Sequence, residues 1–318
     1  MRNRKILLTG AAGQIGQMLT RELANRYGSQ NVIATDISDD PGFPCAFEKL
    51  DILDRERMEE LVRENGTTDL YHLAAILSAT GEKNPQKAWD INMRGTLNVL
   101  EVARVTDVDR LFFPSSIAVF GNEIDREKAP QHAPLIPHSV YGISKAAGEN
   151  WCNYYFEKYG LDVRSIRYPG VIGYESPPGG GTTDYAVDIF YKAVEEGHYA
   201  CFLNANARLP MIYMDDAIRA TIELMEAPSE KITIRTSYNV QGMSFTPGEL
   251  VEEIRKFIPD FTIEYQPDFR QDIADSWPGR LDDQAATGDW GWKREFDISK
   301  LTETMYRGVK SLQQQKTT

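Results

Sequence analysis

Short apolar runs alternate with amphipathic stretches through the first half of the chain. The runs that suit buried strands are 5–9, 31–36, 69–73, 111–113 and 163–167. The stretches with helical spacing of apolar positions are 14–27, 54–64, 86–105 and 141–159. Because parallel strands are joined by crossover helices, this alternation predicts an α/β domain with a doubly wound parallel sheet over residues 1–170. Ligands of such sheets bind beyond the carboxyl ends of the strands.

The second half of the chain has a different pattern. It opens on the Pro/Gly-rich run 176–181, which composition alone would allow as a flexible linker. The elements expected after it are helices at 184–197, from Asp215 onward, at 246–257 and at 298–315, with extended pieces at 236–240 and 261–265. We expect residues 171–318 to form a smaller C-terminal α/β lobe that binds substrate and is interleaved with the first domain.

Three glycines spaced three apart, Gly10, Gly13 and Gly16, lie between the first strand and the first helix. In a phosphate cradle they permit a tight turn, a close approach to a pyrophosphate, and packing of the helix on the strand. The helix also directs free N–H groups and its positive dipole end at the phosphates. The alternative is an ordinary strand–turn–helix with small residues.

An acidic residue favours the dinucleotide interpretation of this loop. Asp36 ends the second strand 20 residues after Gly16, where its carboxylate would accept hydrogen bonds from a ribose diol. The same carboxylate would repel a 2′-phosphate, so the sequence predicts NAD rather than NADP. Together with the three glycines and Asp36, the residues expected to contact this cofactor at the loop and the strand end are Gln14, Ile15 and Ile37.

Composition narrows the class of protein. The net charge of −12 argues against a nucleic-acid or anionic-membrane partner, because either would favour clustered Lys and Arg. Three cysteines without a CxxC pair and four histidines without paired spacing predict no metal centre and suit a reducing compartment. The first strand follows Met1 closely, and no apolar stretch approaches the ~20 residues of a membrane span, so we expect a cytoplasmic protein.

Tyr141 and Lys145 lie four residues apart at the start of a predicted helix, which places them on one face. A free tyrosine has a pKa of about 10 and is a poor base at neutral pH. A neighbouring ammonium and a cationic nicotinamide would both favour the phenolate and lower that pKa. A Tyr–Lys pair also occurs by chance on exposed helices, but here the hydroxyl pair Ser115 and Ser116 ends the strand just upstream.

The Ser-then-Tyr-x-x-x-Lys set on a Rossmann core resembles the short-chain dehydrogenase/reductase superfamily, in its extended, epimerase-like branch. The matching motifs are the glycine loop, His72-Leu73-Ala74-Ala75 and Ser116-Ile117-Ala118-Val119-Phe120-Gly121. That branch commonly has Tyr where this chain has Phe120, so one possible hydroxyl is missing. This resemblance covers about the first 170 residues.

The resemblance implies a role for each matching residue. Ser116 would hydrogen-bond the reacting oxygen, Tyr141 would be the general base, and Lys145 would lower its pKa. The implied cofactor contacts are Asp51 and Ile52 at the adenine, and Leu73, Ala74 and Ala75 beside the nicotinamide ribose. We expect Ser115 to support the loop, and His72 to be a packed strand-end residue rather than a proton carrier.

Nearly the whole chain is similar to the short-chain-type L-threonine 3-dehydrogenases. The stretches that carry this resemblance are 77–85, 180–188, 210–217, 274–278 with 282–283, and 289–292. It implies oxidation of the L-threonine side-chain hydroxyl by NAD to 2-amino-3-oxobutanoate. It also implies a homodimer packed through the helices 86–105 and 141–159, although a monomer with those faces buried would show the same pattern.

The loop 180–184 suits an amino-acid substrate. Gly180 and Gly181 could offer backbone N–H groups, and Thr182 and Thr183 hydroxyls, to a carboxylate, with Asp184 available to an ammonium. Ser78 could add a hydrogen bond. The alternative for 182–184 is a helix N-cap. Trp277 is either a lid over the substrate or part of the core, and Asp215 is expected to be an N-cap.

Two other functions stay open at this stage. A nucleotide-sugar 4-epimerase or dehydratase could use the same fold, but it would need a uracil pocket and basic groups for a second pyrophosphate, and no clear set is present. A non-catalytic NAD-sensing protein need not keep the proton relay, so the intact set of Ser116, Tyr141 and Lys145 argues against it.

Overall fold

The computed structural model describes residues 4–175, 179 and 181–317. Most of the Pro/Gly-rich run, including Gly180 with its predicted backbone contact, lies outside the described residues. The strands are β1 (Ile6–Thr9), β2 (Val32–Asp36), β3 (Ala46–Lys49), β4 (Asp69–His72), β5 (Arg110–Ser116), β6 (Val163–Tyr168), β7 (Gly170–Ile172), β8 (His198–Cys201), β9 (Leu209–Tyr213), β10 (Tyr238–Asn239), β11 (Met243–Phe245) and β12 (Thr262–Tyr265). The helices are α1 (Gln14–Tyr27), α2 (Arg55–Glu64), α3 (Ser78–Glu82), α4 (Pro85–Val105), α5 (Val140–Tyr159), α6 (Tyr185–Glu196), α7 (Met214–Glu226), α8 (Pro247–Arg255), α9 (Phe269–Asp275), α10 (Gln284–Trp290) and α11 (Ile298–Thr317).

Seven parallel strands form the central sheet in the order β10-β6-β5-β4-β1-β2-β3, which confirms the predicted doubly wound fold. The strand order reverses at β1, whose Ile6 pairs with Val32 on one side and with Asp69 on the other. Such a switch point leaves a crevice beyond the carboxyl ends of the strands. Most of the predicted site residues converge on this crevice.

Apolar side chains cover both faces of this sheet. One buried cluster joins it to α1 and α7, and a second joins it to α2, α4 and α5. A third cluster forms the core of the smaller lobe, which contains the three-stranded sheet β11-β9-β7 and the two-stranded sheet β12-β8. This agrees with a smaller α/β lobe in the second half.

The two halves of the chain share one sheet. Strand β10 comes from the second half, yet it pairs with β6, with Tyr238 opposite Ile166 and Asn239 opposite Arg167. The domain boundary at residue 170 stays a prediction. Strand β10 lies after that boundary in the sequence but belongs to the sheet of the first domain.

Sequence patterns missed β3 and misplaced one helix cap. Strand β3 lies at the sheet edge with mostly exposed side chains, so it lacks the apolar run of a buried strand. The prediction that Asp215 is an N-cap is wrong: α7 begins at Met214 after an N-cap at Tyr213, and Asp215 lies in its first turn. Both Asp215 and Asp216 are placed there, where carboxylates favour the helix dipole.

Candidate active site

A cavity of about 240 Å³ opens beyond the carboxyl ends of the central strands. It is bounded by the glycine loop, the segment after β4, the end of β5, the start of α5, the loop before α6 and the segment after α9. The predicted residues that line it are Gly10, Gly13, Gln14, Ile15, Gly16, Leu73, Ala75, Ser78, Ser116, Tyr141, Lys145, Gly181, Thr182, Thr183, Asp184 and Trp277. Groups predicted separately for cofactor, catalysis and substrate therefore share one space.

The glycine loop has the geometry of a cradle. Gly10 has a φ of +73°, and a Cβ there would lie 2.4 Å from the backbone nitrogen of Ala74. A Cβ on Gly16 would lie 2.2 Å from the Gly10 carbonyl oxygen, so α1 packs closely on the turn. At Gly13 the same carbonyl, at 3.3 Å, is the only described atom beyond the two chain neighbours that lies within 4 Å of a Cβ, which leaves the cavity side open. This opening at a helix N-terminus fits a bound phosphate group.

Asp36 braces this loop from the end of β2. Its carboxylate accepts hydrogen bonds from the backbone N–H groups of Ala12 and Ser38, each at 2.9 Å. Carboxylate oxygens can accept more than one bond each, so a ribose diol could still bind. Ile37 beside it is exposed. The structure thus places Asp36 and Ile37 at the loop but outside the enclosed cavity.

The remaining predicted cofactor residues also lie outside the cavity. Asp51 is exposed and accepts a hydrogen bond from the Leu53 N–H. Ile52 is buried against α4, where a Cβ on Gly95 would meet it at 2.3 Å. Ala74 contributes through its backbone, against Gly10. Adenine contacts at Asp51 and Ile52 stay predictions.

Helix α5 holds Tyr141 and Lys145 on one face of the cavity. Its N-cap is Ser139, whose hydroxyl accepts a hydrogen bond from the Gly142 N–H at 3.1 Å. A Cβ on Gly142 would lie 2.1 Å from the Ala118 carbonyl oxygen, so the first turn lies directly against the segment that follows Ser116. The Lys145 ammonium lies 5.5 Å from the centroid of the Tyr141 ring.

Burial determines the acid–base properties of this pair. It raises the pKa of Tyr141 to about 12, opposed by a hydrogen-bonding interaction with the Ser116 side chain. It lowers the pKa of Lys145 to about 8, opposed by Cys152 and Glu149. In the protein alone the tyrosine pKa therefore moves opposite to the predicted direction, because loss of solvation outweighs the neighbouring groups.

The loop before α6 presents a buried hydroxyl to the cavity. Thr182 is 1 % exposed, and its Oγ1 has no hydrogen-bond partner among the described residues. Asp184 occupies the N-cap position of α6 and accepts a 2.8 Å hydrogen bond from the Gly181 N–H. Thr183 packs against Gly170, so closely that a Cβ added to Gly170 would lie 2.7 Å from the Thr183 side chain. The segment therefore lines the cavity and supplies the N-cap position, but the Asp184 side chain makes no capping hydrogen bond to α6. Thr182 retains an unused hydrogen-bonding group.

Three further predictions concern buried residues around the cavity. Trp277 is 5 % exposed and belongs to the core of the smaller lobe, and it also lines the cavity. Its role as a lid over the substrate stays a prediction. His72 is confirmed as a packed strand-end residue: its Nδ1 lies 2.8 Å from the Thr9 hydroxyl, and burial lowers its pKa to about 3. Ser115 is buried and donates a hydrogen bond to Glu149.

Sequence reasoning missed the contribution of β6 and the segment after it. The lining residues not predicted are Leu77, Pro114, Ser115, Ile117, Tyr168, Pro169, Gly170 and Val171. The end of β6 could have been included, because a predicted parallel strand must bring its carboxyl end to the same edge. Elsewhere in the part of the chain that the structure describes, no group of three His, Cys, Asp or Glu side chains could hold a metal, and no helix is long and apolar enough to cross a membrane.

Comparison with known proteins gives concordant results. The profile of the NAD dependent epimerase/dehydratase family matches residues 6–240. An uncharacterized epimerase/dehydratase of Staphylococcus aureus (strain USA300) is 46% identical over 311 residues, covering 96% of this chain and 97% of the relative. The solved GalE-like L-threonine dehydrogenase from Cupriavidus necator, in its holo form, is 51% identical with a TM-score of 0.94, covering 96% and 99% of the two chains. A monomeric L-threonine 3-dehydrogenase from a metagenome database is 50% identical with a TM-score of 0.94 and the same coverage.

Proposed function

This chain belongs to the NAD-dependent epimerase/dehydratase family, and we propose that it oxidises the side-chain hydroxyl of L-threonine to 2-amino-3-oxobutanoate. The observation that carries the proposal is that one cavity joins Ser116, Tyr141 and Lys145 to the loop Gly181–Asp184. A proton relay and groups suited to an amino acid then lie within reach of each other. The similar structures described as L-threonine dehydrogenases support the same substrate.

The residues present fit NAD as the cofactor. The open side of Gly13 and the first turn of α1 would hold its pyrophosphate, and Asp36 its adenosine ribose. When bound, NAD supplies the acceptor for the hydride that leaves the substrate Cβ. A carboxylate at the end of β2 disfavours NADP, whose 2′-phosphate it would repel.

The protein's own groups would carry the proton. Tyr141 as phenolate takes the proton of the threonine hydroxyl, and Ser116 donates a hydrogen bond to that oxygen as it becomes a carbonyl. Lys145 favours the phenolate through its positive charge. Since burial raises the pKa of Tyr141 to about 12 even against the opposing Ser116 hydrogen bond, a further positive charge at the site would favour the phenolate near neutral pH.

The loop before α6 would recognise the amino acid. The buried Thr182 hydroxyl and the neighbouring Thr183 hydroxyl are suited to donate to the substrate carboxylate, while Asp184 faces the same cavity for the ammonium. Ser78, buried at the start of α3, also lines this space. An unpartnered hydroxyl in a buried wall costs free energy unless a ligand satisfies it.

A nucleotide-sugar 4-epimerase or dehydratase is the second candidate, because the curated relatives are named epimerase/dehydratase. The cavity argues against it. Lys145 is the only cationic side chain among the described residues that line the cavity, and a second pyrophosphate would require others. A non-catalytic NAD-sensing role is disfavoured because Ser116, Tyr141 and Lys145 are all directed at one space.

Formation of NADH on mixing the purified protein with NAD and L-threonine tests the proposed function. We expect NADH absorbance to rise with L-threonine and NAD, and to stay flat with UDP-galactose or with NADP as the cofactor. A protein that retains tightly bound NAD through purification and ignores threonine would instead be an epimerase or dehydratase.

We also propose a homodimer packed through α4 and α5. Large apolar side chains on these helices are partly exposed, with Trp89, Trp151 and Tyr154 each about two-fifths accessible. Burying such a surface against a second copy would remove it from water. The similar metagenomic protein is described as monomeric, so the oligomeric state requires its own measurement. The cytoplasmic location stays a prediction.

A further inference from the structure

A fully buried carboxylate lies one helical turn beyond Lys145. Glu149 on α5 is 0 % exposed, and its Oε1 accepts hydrogen bonds from the Ser115 hydroxyl at 2.5 Å and from Arg167 Nε at 2.9 Å. Its Oε2 accepts a third bond from Arg167 Nη2 at 2.8 Å. None of these groups has a step of its own in the chemistry proposed above, although Glu149 also opposes the lowering of the Lys145 pKa. A buried ion pair is weak evidence for stability, so its use has to be sought in what it orients.

The three residues connect the elements that carry the proton relay. Ser115 and Arg167 are paired neighbours on β5 and β6, and Glu149 bonds to both from α5. Ser115 immediately precedes Ser116 at the end of β5, whereas Glu149 lies on the same helix as Tyr141. The carboxylate therefore ties the strand that presents Ser116 to the helix that presents Tyr141.

Close packing at the same turn of α5 restricts how far the helix can move relative to β5. A Cβ on Gly148 would lie 2.4 Å from the Phe113 ring, so α5 approaches β5 closely there. The Phe113 ring is also 4.8 Å from the Lys145 ammonium. Packing sets the distance between helix and strand, and the Glu149 bonds oppose rotation and sliding of one along the other.

On the other side, Arg167 is itself held in place. Its Nη1 donates to the Gln131 carbonyl at 2.9 Å and to Asn239 Oδ1 at 3.0 Å. Asn239 belongs to β10, so the network extends from the site to the strand that the second half contributes. With four hydrogen bonds to three residues, the guanidinium gives Glu149 a fixed partner.

We propose that Glu149 is a positioning residue that, through Ser115, holds Ser116 in register with Tyr141. The proposal rests on the proposed function for its kinetic consequence only. Displacement of a reacting group by a fraction of an ångström lowers turnover without removing the cofactor's binding contacts. The expected signature is a loss in kcat with an unchanged KM for NAD.

The sharpest test is Ser115→Ala, which cuts the bond to β5 and leaves the Glu149–Arg167 pair intact. The matched control is Ser165→Ala, since Ser165 is also buried, lies on the neighbouring strand β6, and donates one hydrogen bond to Ser237 at 2.8 Å. We expect kcat to fall about tenfold in Ser115→Ala with the KM for NAD within about twofold, and neither value to change in Ser165→Ala. Equal losses in the two variants, or none in Ser115→Ala, would overturn the proposal.

The double variant Glu149→Met with Arg167→Met removes the pair together, so that no unpaired charge stays buried. We expect a lower kcat in this double variant. Adding Ser115→Ala to it should lower kcat no further, because the connection between α5 and β5 is already cut. If kcat in the triple variant falls by the product of the two separate losses, Glu149 does not act on Ser116 through Ser115 alone, and the proposal is contradicted.

A readout independent of threonine oxidation separates this proposal from the proposed function. The tyrosinate absorbance of Tyr141, taken as the difference between NAD-saturated protein and its Tyr141→Phe counterpart, reports the pKa of that residue. Because the Ser116 interaction lowers this pKa, its midpoint should rise in Ser115→Ala and stay unchanged in Ser165→Ala. An unchanged midpoint in Ser115→Ala would sink the positioning role even if the enzyme proved to act on another substrate.

Discussion

Lys145 lies one turn of α5 beyond Tyr141, with its ammonium 5.5 Å from the centroid of the tyrosine ring. Burial favours the neutral form of both groups, since it raises the tyrosine pKa to about 12 and lowers the lysine pKa to about 8. Near neutral pH the pair therefore holds a charged Lys145 and a protonated Tyr141, so it lacks the phenolate. Its active protonation state depends on what else enters the cavity.

Replacing Tyr141 by Phe should abolish most turnover while leaving NAD affinity nearly intact. Loss of a general base lowers kcat by about 10²–10⁴-fold, whereas the ring that lines the cavity is retained. Steady-state kinetics with L-threonine and a direct binding titration with NAD measure the two effects. A variant that keeps the kcat of the unmodified protein would show that Tyr141 is not the base.

Replacing Lys145 by Met should raise stability near neutral pH. The folded protein binds the lysine proton more weakly than the unfolded chain, with a pKa of about 8 against an ordinary 10.5. This costs about 3 kcal/mol below about pH 8, and the cost disappears as the pH rises toward about 10.5. Denaturant unfolding below about pH 8 should show a higher free energy of unfolding for Lys145→Met than for the unmodified protein, and this difference should vanish toward about pH 10.5. Lys158→Met, at an exposed position on the same helix, should show no such gain.

Alanine substitutions in the glycine loop should separate cofactor binding from folding. Gly13→Ala puts a methyl group into the open cradle and should weaken NAD binding by about tenfold or more with little change in Tm. Gly16→Ala meets the Gly10 carbonyl at 2.2 Å and should destabilise the fold by about 1–3 kcal/mol. Gly288→Ala, a helical position with nothing described within 4 Å of the Cβ, is the neutral control. If Gly13→Ala binds NAD normally, the cradle is not a phosphate site.

Replacing Thr182 by Val should have opposite effects on substrate and fold. The buried hydroxyl lacks a partner among the described residues, so its loss should raise stability by about 1 kcal/mol. The same loss should raise the KM for L-threonine about tenfold and leave the KM for NAD unchanged. Thr20→Val is matched, since its hydroxyl is likewise buried without a described partner but lies on α1 away from the cavity, and it should leave both KM values unaltered. An unaltered KM for L-threonine in Thr182→Val would remove this residue from the substrate site.

Charge placed on the exposed face of α5 should separate the proposed dimer. We expect sedimentation of the unmodified protein to give twice the chain mass and Trp151→Glu to shift it to the monomer, because interfaces depend on a few buried aromatic anchors. Phe269→Glu is the control, because Phe269 on α9 is more exposed than Trp151 but lies outside the proposed interface. This variant should sediment like the unmodified protein. A monomer at all concentrations for the unmodified chain would refute the dimer.

The sequence sufficed for the framework because the information is local. The spacing Gly10, Gly13, Gly16 and the spacing Tyr141, Lys145 each predict neighbours on one turn or one helix face, and the structure shows both arrangements. The apolar central strands and the amphipathic helices are likewise predictable, since each pattern reflects which side of the element is buried.

What could not be predicted depends on groups distant in the chain. Ser115 belongs to the hydroxyl pair visible in the sequence, but Glu149 and Arg167 carry no motif, and only the packing of α5 on the sheet brings the three together. The pKa of Tyr141 depends on how completely the folded chain excludes water, which spacing does not reveal. The edge strand β3 is too exposed for a hydrophobic pattern. The sequence does predict an extended piece at 236–240, but no pattern there indicates that it pairs with β6 in the central sheet.

The pairing of β10 with β6 has a consequence for biosynthesis. Until residues 238–239 have left the ribosome, the nascent chain holds β6 as an open edge, with unpaired N–H and C=O groups able to recruit another strand. The hydrogen bonds between β10 and β6 can therefore form only after about 70 further residues have been synthesised beyond β6. Synthesis that stalls within this interval would release a chain whose most exposed feature is an aggregation-prone strand, so the risk of misassembly is concentrated in the middle of translation.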